Sequence, residues 1–322
     1  MNSRRQVLRQ QRAAPRGVRD LFYAALDRIA LISETRYWAY FLMAPTTLLL
    51  VAIIVYPIGS GISISFRTMR LTRPDLGTPF IGLRHYVDLA ADPVFRLALR
   101  NTAVWVVLGA SSQFVVGLIT ALALNREVRG IWLARILVLV PWFLPSVVAG
   151  HIWALMLDSR LGVINDLLVK IGILDQYRAW FANPATSLPT VLLVDLWRSF
   201  PYFSLFLLAG LQAIPEELYE AASVDGAGYW QRFRAITMPL LVPVIVATVV
   251  LRVIGLVNSP DLLIVLTNGG PGNATQVLSL FAFQTAYTAF NFGYAAAISV
   301  VILLLLMAFT VVYVRASAAA RE

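Results

Sequence analysis

The sequence predicts an all-α, polytopic membrane protein with six transmembrane helices, and three observations carry that expectation. Of its 322 residues, 59% are hydrophobic and only 13% are charged. Soluble domains run near about 25% charged, so this composition excludes an ordinary water-soluble enzyme. The third observation is six stretches that each approach or exceed the roughly 20 apolar residues a helix needs to cross hydrocarbon.

In chain order those stretches are 38–62, 102–124, 136–157, 188–210, 240–266 and 292–314. The first, second, third and sixth contain no Asp, Glu, Lys or Arg. The fourth carries Asp195 and Arg198, and the fifth carries Arg252 and Asp261. A further apolar and aromatic stretch, 277–289, is too short to span and reads as a re-entrant or outer-surface helix.

Basic residues between the stretches set the orientation. Eight arginines (Arg4, Arg5, Arg9, Arg12, Arg16, Arg19, Arg28 and Arg36) precede or open the first span. With the loops on that side they raise its basic count to fifteen, against nine opposite. Both termini are therefore expected in the cytoplasm. The net charge of +9 is then mostly topology and gives no reason to expect nucleic acid. Residues 1–37 read as a basic cytoplasmic arm that meets membrane lipid, and 38–322 as one membrane domain. Ser3-Arg4-Arg5-Gln6-Val7-Leu8 looks like a twin-arginine export signal, but Asp27 and Arg28 interrupt the apolar run such a signal needs. Leu21, Phe22, Ala25, Leu26 and Ile29 form a helical stripe instead, as expected of a helix lying in the inner leaflet.

Several chemistries are missing. No cysteine is present, and His85 and His151 are the only histidines, so no metal site is expected. Lys170 is the only lysine and is followed by Ile171, so the chain has no phosphate-cradling loop ending in Gly-Lys-Ser/Thr. It cannot be an ATPase. No nucleophile elbow, zinc-protease or Asp-rich motif appears, which disfavours a membrane enzyme. Asn273-Ala274-Thr275 is a formal glycosylation triplet with no weight by itself.

The densest signal lies between the fourth and fifth spans, at about 212–239. Pro215 suits a first helical turn, Glu216 and Glu217 complement its dipole, and Gly226 permits the turn that ends it. A second short helix is expected from Tyr229 to just before Pro239, giving a helix-turn-helix with acids on one arm and Arg232 and Arg234 on the other.

Glu220-Ala221-Ala222, Gly226, Ile236 and Pro239 resemble the EAA loop of binding-protein-dependent ABC importer permeases, with Met238 where the family usually has Leu. Phe80-Ile81-Gly82-Leu83-Arg84-His85-Tyr86, Leu99-Arg100-Asn101-Thr102, Trp197-Arg198 with Pro201, and Ala209 through Pro215 extend the likeness. So do Leu266-Thr267-Asn268-Gly269-Gly270-Pro271-Gly272 and Phe292 through Ala297. It covers about 38–315 and is similar to the carbohydrate-uptake branch.

The resemblance implies the ABC type I importer permease fold and a non-catalytic subunit forming half of a translocation pathway. The substrate would be a sugar, sugar derivative, polyol or glycerol phosphodiester. Implied partners are a second permease chain, a different one in this branch, two ATPase subunits carrying ATP and Mg, and a solute-binding protein outside. Glu220 would be the charge contact to the ATPase, Ala221 and Ala222 close-packing positions, and Gly226 the turn, with Asp225, Ile236 and Pro239 completing the element.

Ionisable residues inside a bilayer tend to face the bundle interior. Asp195 and Arg198 share a helix face and can neutralise each other or line a pathway. Arg252 and Asp261, on nearly opposite faces of one helix, are expected to find partners on other helices. Asn258, Ser259, Trp197 and Tyr202, with Phe200, Phe203, His151 and Trp153 behind them, complete the candidates for a sugar path or for packing. The alternative reading is an ion-coupled secondary transporter, for which Asp195 and Asp261 would bind the ion.

Overall fold

A computed structural model describes residues 36–126 and 128–319, so the basic arm and interfacial helix expected before residue 36 lie outside the described residues. Two compact units divide at Gly61. In the first, α1 (Arg36–Leu50) runs through a π turn at Val51–Val55 into α2 (Tyr56–Ser65), whose last residues belong to the second unit. Pro57 has no N–H and its ring crowds the carbonyl four residues back. The wider turn, closed by Tyr56 N–H to Val51 O, lets the helix pass it unbroken. Leu42–Ser65 is long and apolar enough to cross a membrane.

In the second unit, α3 (Arg84–Ala91) is followed by α4 (Pro93–Leu124). Asp92 caps α4, one carboxylate oxygen accepting from Val94 and Phe95 N–H and the other from Tyr294 Oη at 2.9 Å. With 32 residues α4 is about 48 Å long, and it forms the central contact of the bundle. α8 (Pro184–Gln212) packs along it most extensively.

Gly117 makes that approach possible. A Cβ there would stand 2.4 Å from Phe203 Cβ and 3.0 Å from Phe200 O. Close backbone approach through small residues is how membrane helices gain packing without a hydrophobic driving force. Gly117→Ala is expected to destabilise by about 1–3 kcal/mol through overpacking. Purified protein should melt at lower temperature, whereas Gly59→Ala, with nothing within 4 Å, should leave the melting curve unchanged.

The third expected span is not one straight helix. α5 (Ile131–Phe143) and α6 (Ser146–Met156) meet at 93°. Leu144 is forced into an extended conformation by Pro145, because a residue before proline is excluded from the helical region. Five continuous helices are long and apolar enough to cross among the described residues, or six when this bent pair is counted as one span.

Three further corrections concern helix ends. The second span begins at Pro93, about two turns before the expected 102, because Asp92-Pro93 is a strong helix start. The helix at Tyr229 does not stop before Pro239. α10 (Tyr229–Arg232) passes through a second π turn, Phe233–Thr237, into α11 (Met238–Asn258). Met238 N–H reaches Phe233 O, and the widened turn again accommodates a proline one position on. Finally, the fifth span ends at Asn258 and not at 266. Ser259 is extended ahead of Pro260, and the short α12 (Asp261–Leu266) starts afresh.

The segment after α12 is held from α4. Asn101 Nδ2 donates to Asn273, Ala274 and Gln276 carbonyls at 3.0–3.2 Å, and Thr102 Oγ1 accepts Leu278 N–H at 2.8 Å. Thr275, the last residue of the formal glycosylation triplet, is buried and bonded to Thr267 and Gly270. Gly269 at φ +88 lies where a Cβ would strike Gln276 Oε1. α13 (Leu278–Tyr287) is as short as expected but is buried against α4 and α14 (Phe292–Ala319). It is not an exposed surface helix.

Candidate functional site

Two features gather the ionisable and polar residues singled out above. The first is a polar knot inside the bundle. Asp195, on α8, is 2% exposed. Its Oδ2 accepts from Arg252 Nη2 at 2.7 Å and Gln113 Nε2 at 2.8 Å. Its Oδ1 accepts from Ser199 Oγ at 3.1 Å and Arg198 Nη2 at 3.5 Å. Arg252 Nε donates to Gln113 Oε1 at 2.6 Å, so α4, α8 and α11 meet in one closed network.

Asp195 and Arg198 therefore do touch, but Arg252 is the nearer cation. Gln113 was not anticipated. An amide buried in a membrane-spanning helix needs a partner, and Gln113 is 0% exposed. One carboxylate stands between two guanidinium groups, leaving the knot with a net positive charge. Among the described residues, Arg198 Nε and, on α6, Trp153 Nε1 are buried without a hydrogen-bond partner. The Trp153 and Trp197 rings meet edge to face at 5.4 Å.

The other pathway candidates scatter. Phe203 is fully buried in the packing of α4, α8 and α11. Tyr202, half-buried among Trp142, Phe203 and Phe206, donates to Thr248 O at 3.3 Å. Phe200 is half-buried and His151 exposed. Asn258, Ser259 and Asp261 lie together, all exposed, at the break between α11 and α12. Among the described residues Asp261 has no ion pair within 4.0 Å, and no cluster of metal-ligating side chains forms.

The second feature is the loop at the other end of α8. α9 (Glu216–Val224) starts after Pro215, which is the N-cap, and ends in a Schellman motif. Ala227 N–H bonds Ala222 O at 2.8 Å, Gly226 N–H bonds Ser223 O at 3.1 Å, and Gly226 has φ +77. Tyr219 Oη and Thr237 Oγ1, 2.9 Å apart, tie α9 to the base of α11, and Arg232 Nη1 donates to Ser223 Oγ at 2.8 Å.

Glu217, Glu220, Ala221 and Val224 recur at helical spacing and are all exposed, Val224 at 89%. Tyr219 and Ala222 are half-buried on the other side. The small residues thus divide, with Ala221 free for another surface and Ala222 turned inward. Asp225 and Pro239 are exposed, and Ile236 is half-buried.

No atom lies within 4 Å of a Cβ built on Gly226, so substitution there acts through backbone alone. Gly226→Ala is expected to cost about 1–2 kcal/mol in the left-handed region. Limited proteolysis should cut faster between Val224 and Tyr229 while the spans remain intact.

Apolar helices long enough to cross a membrane, three of them joined by a buried charge knot, define a polytopic membrane protein. Residues 113–320 match the family described as the binding-protein-dependent transport system inner membrane component, and the chain belongs to that family. It is an integral membrane permease subunit of a binding-protein-dependent importer.

Among curated relatives, the trehalose/maltose transport system permease protein MalF of Thermococcus litoralis is 34% identical over 276 residues, covering 86% of this chain and 92% of the relative. The sulfoquinovosyl glycerol transport system permease protein SmoG of Agrobacterium fabrum is 37% identical over 280 residues, covering 87% and 90%. A chain of the crystal structure of a bacterial ABC transporter importing the acidic polysaccharide alginate shares the fold. Its TM-score is 0.77 at 23% identity, with coverage of 89% of this chain and 97% of that one.

Proposed function

We propose that this chain is one of two permease subunits of an ATP-driven sugar importer, and that α9 docks in a separate ATPase subunit. The carrying observation is the exposed Glu217, Glu220, Ala221 and Val224 stripe on a helix fixed at both ends. A rigid helix of this kind passes a push to α8 and α11 without melting. The absence of any phosphate-binding loop supports placing ATP and Mg on the partner subunits.

The sugar reading draws on the relatives that transport trehalose/maltose and sulfoquinovosyl glycerol. The basic bias of the α9 side supports its placement in the cytoplasm with both termini, so a solute-binding protein delivers substrate at the opposite face. The second permease is a different chain, and the pathway runs between the two past the exposed Asn258, Ser259 and Asp261. Trp197, Arg198, Tyr202 and the Asp195–Arg252 pair brace its wall. Opening and closing follow from ATP stabilising one arrangement of the spans over the other.

Affinity purification of the chain from its native membrane tests the reading. An ATPase subunit and a second permease should co-purify, and uptake should continue when proton and sodium gradients are dissipated. Gradient-driven transport by this chain reconstituted alone would overturn it.

A further inference from the structure

The segment between α6 and α8 lies at the opposite end of α8 from the docking helix α9. Its core is one side chain. Asn165, fully buried in α7 (Val163–Lys170), donates to Asp158 O at 2.8 Å and Arg178 O at 3.0 Å. It accepts from Arg178 N–H at 3.2 Å and Trp180 Nε1 at 2.9 Å. Asp158 Oδ1 caps the turn by accepting from Arg160 and Leu161 N–H. Trp180 and Phe181 pack against the apolar cluster that includes Leu157 and Leu188. The segment is thus a tied module, held from within by Asn165.

Its other side is apolar. Leu161 is 81% exposed, Val163 63%, Leu167 55%, Ile171 59% and Ile173 66%. Val163, Leu167 and Ile171 follow one helical stripe, with Asn165 on the far side. Between them the only charges are Asp166 and Lys170, which pair with each other at 2.7 Å. The hydrogen bond from Lys170 holds the Asp166 carboxyl below the usual carboxylate range. A run of five aliphatics around one self-neutralised pair is not a surface that water stabilises.

We propose that α7 and its flanks lie in the lipid interface on the membrane face opposite α9, as an amphipathic anchor for the bent α5–α6 crossing. Position favours lipid over a protein partner. α7 has eight residues, too few to span, and it follows directly on α6, whose exposed Val147, Val148, Ile152 and Leu155 carry the apolar surface up to Leu161. Amphipathic helices of this kind bury their apolar side at the boundary of headgroups and acyl chains. The edge fits the same depth. The Asp166–Lys170 pair suits headgroup depth, and Tyr177, exposed with its hydroxyl bonded to Asp166 at 3.2 Å, is an aromatic type of a membrane interface.

The test uses the natural absence of cysteine. Single-cysteine variants Leu161→Cys, Leu167→Cys and Ile171→Cys, with Asp175→Cys as an exposed control, are made in the full chain. Each is labelled with a polarity-sensitive fluorophore and placed in phosphatidylcholine/phosphatidylglycerol nanodiscs. The three anchor positions should show blue-shifted emission quenched by lipids bearing a nitroxide shallow in the acyl chain, and the control should show neither. Water-like emission at the three positions overturns the proposal. So does a blue shift that lipid-borne nitroxide does not quench, since a protein surface then covers the stripe. Val163→Cys and Ile173→Cys replace any variant that fails to reach the membrane.

Discussion

Glu220→Arg is expected to lower substrate uptake at least about tenfold while the protein still accumulates in the membrane. Glu220 stands in the middle of the exposed stripe of α9 and makes no hydrogen bond or ion pair among the described residues, so reversing it removes no internal contact. Close charge pairs across protein interfaces couple by about 1.5–7 kcal/mol, and reversal replaces attraction with repulsion. At about 1.4 kcal/mol per tenfold, even the lower bound exceeds a tenfold loss. Uptake by cells and co-purification of the ATPase subunit are the two readouts. Both should fall together, with Glu220→Gln between the variant and the parent. Full uptake by Glu220→Arg would remove α9 from the docking role.

Asp195→Asn should be the most destabilising change within the spans. It removes the only carboxylate among Arg252, Arg198 and Gln113 and leaves two guanidinium groups without a counter-charge. Breaking a buried pair by deleting one partner costs about 3–5 kcal/mol. Arg252→Gln should cost less, because Arg198, Ser199 and Gln113 still serve the carboxylate, and Arg198→Gln least, its contact being 3.5 Å against 2.7 Å. Thermal unfolding of the purified variants in one detergent checks the order. A melting curve for Asp195→Asn that overlays the parent would mean the knot contributes nothing to holding α4, α8 and α11 together.

Hydropathy and local turn chemistry made much of this legible. The crossings read directly because each apolar run is long enough to span hydrocarbon and carries at most two charges. The helix α9 read because Pro215, Glu216, Glu217 and Gly226 each fill a position with its own physical demand. The failures share another cause. Pro239 reads as a helix stop, yet a π turn just before it carries the helix through, and nothing local distinguishes the two outcomes. Pro145 marks a break, but the 93° angle is set by what the two arms pack against. Gln113 vanished in an apolar average because its meaning depends on Asp195 and Arg252, which only tertiary packing brings to it. The division of Ala221 and Ala222 between outer and inner faces likewise follows from the Tyr219–Thr237 contact, which joins residues 18 apart.

The π turn ahead of Pro239 makes one unbroken rod of Tyr229–Asn258, pinned part-way along where Arg252 enters the knot. At 1.5 Å per residue the arm from Tyr229 to Arg252 is about 35 Å and that from Arg252 to Asn258 about 9 Å. The knot is then a fulcrum. A tilt about it swings the two ends in opposite directions, the far end by about a quarter of the near one. Opposite displacements of the rod's two ends are then a single motion of one lever. Its gearing was set when the chain placed arginine six residues from the rod's end.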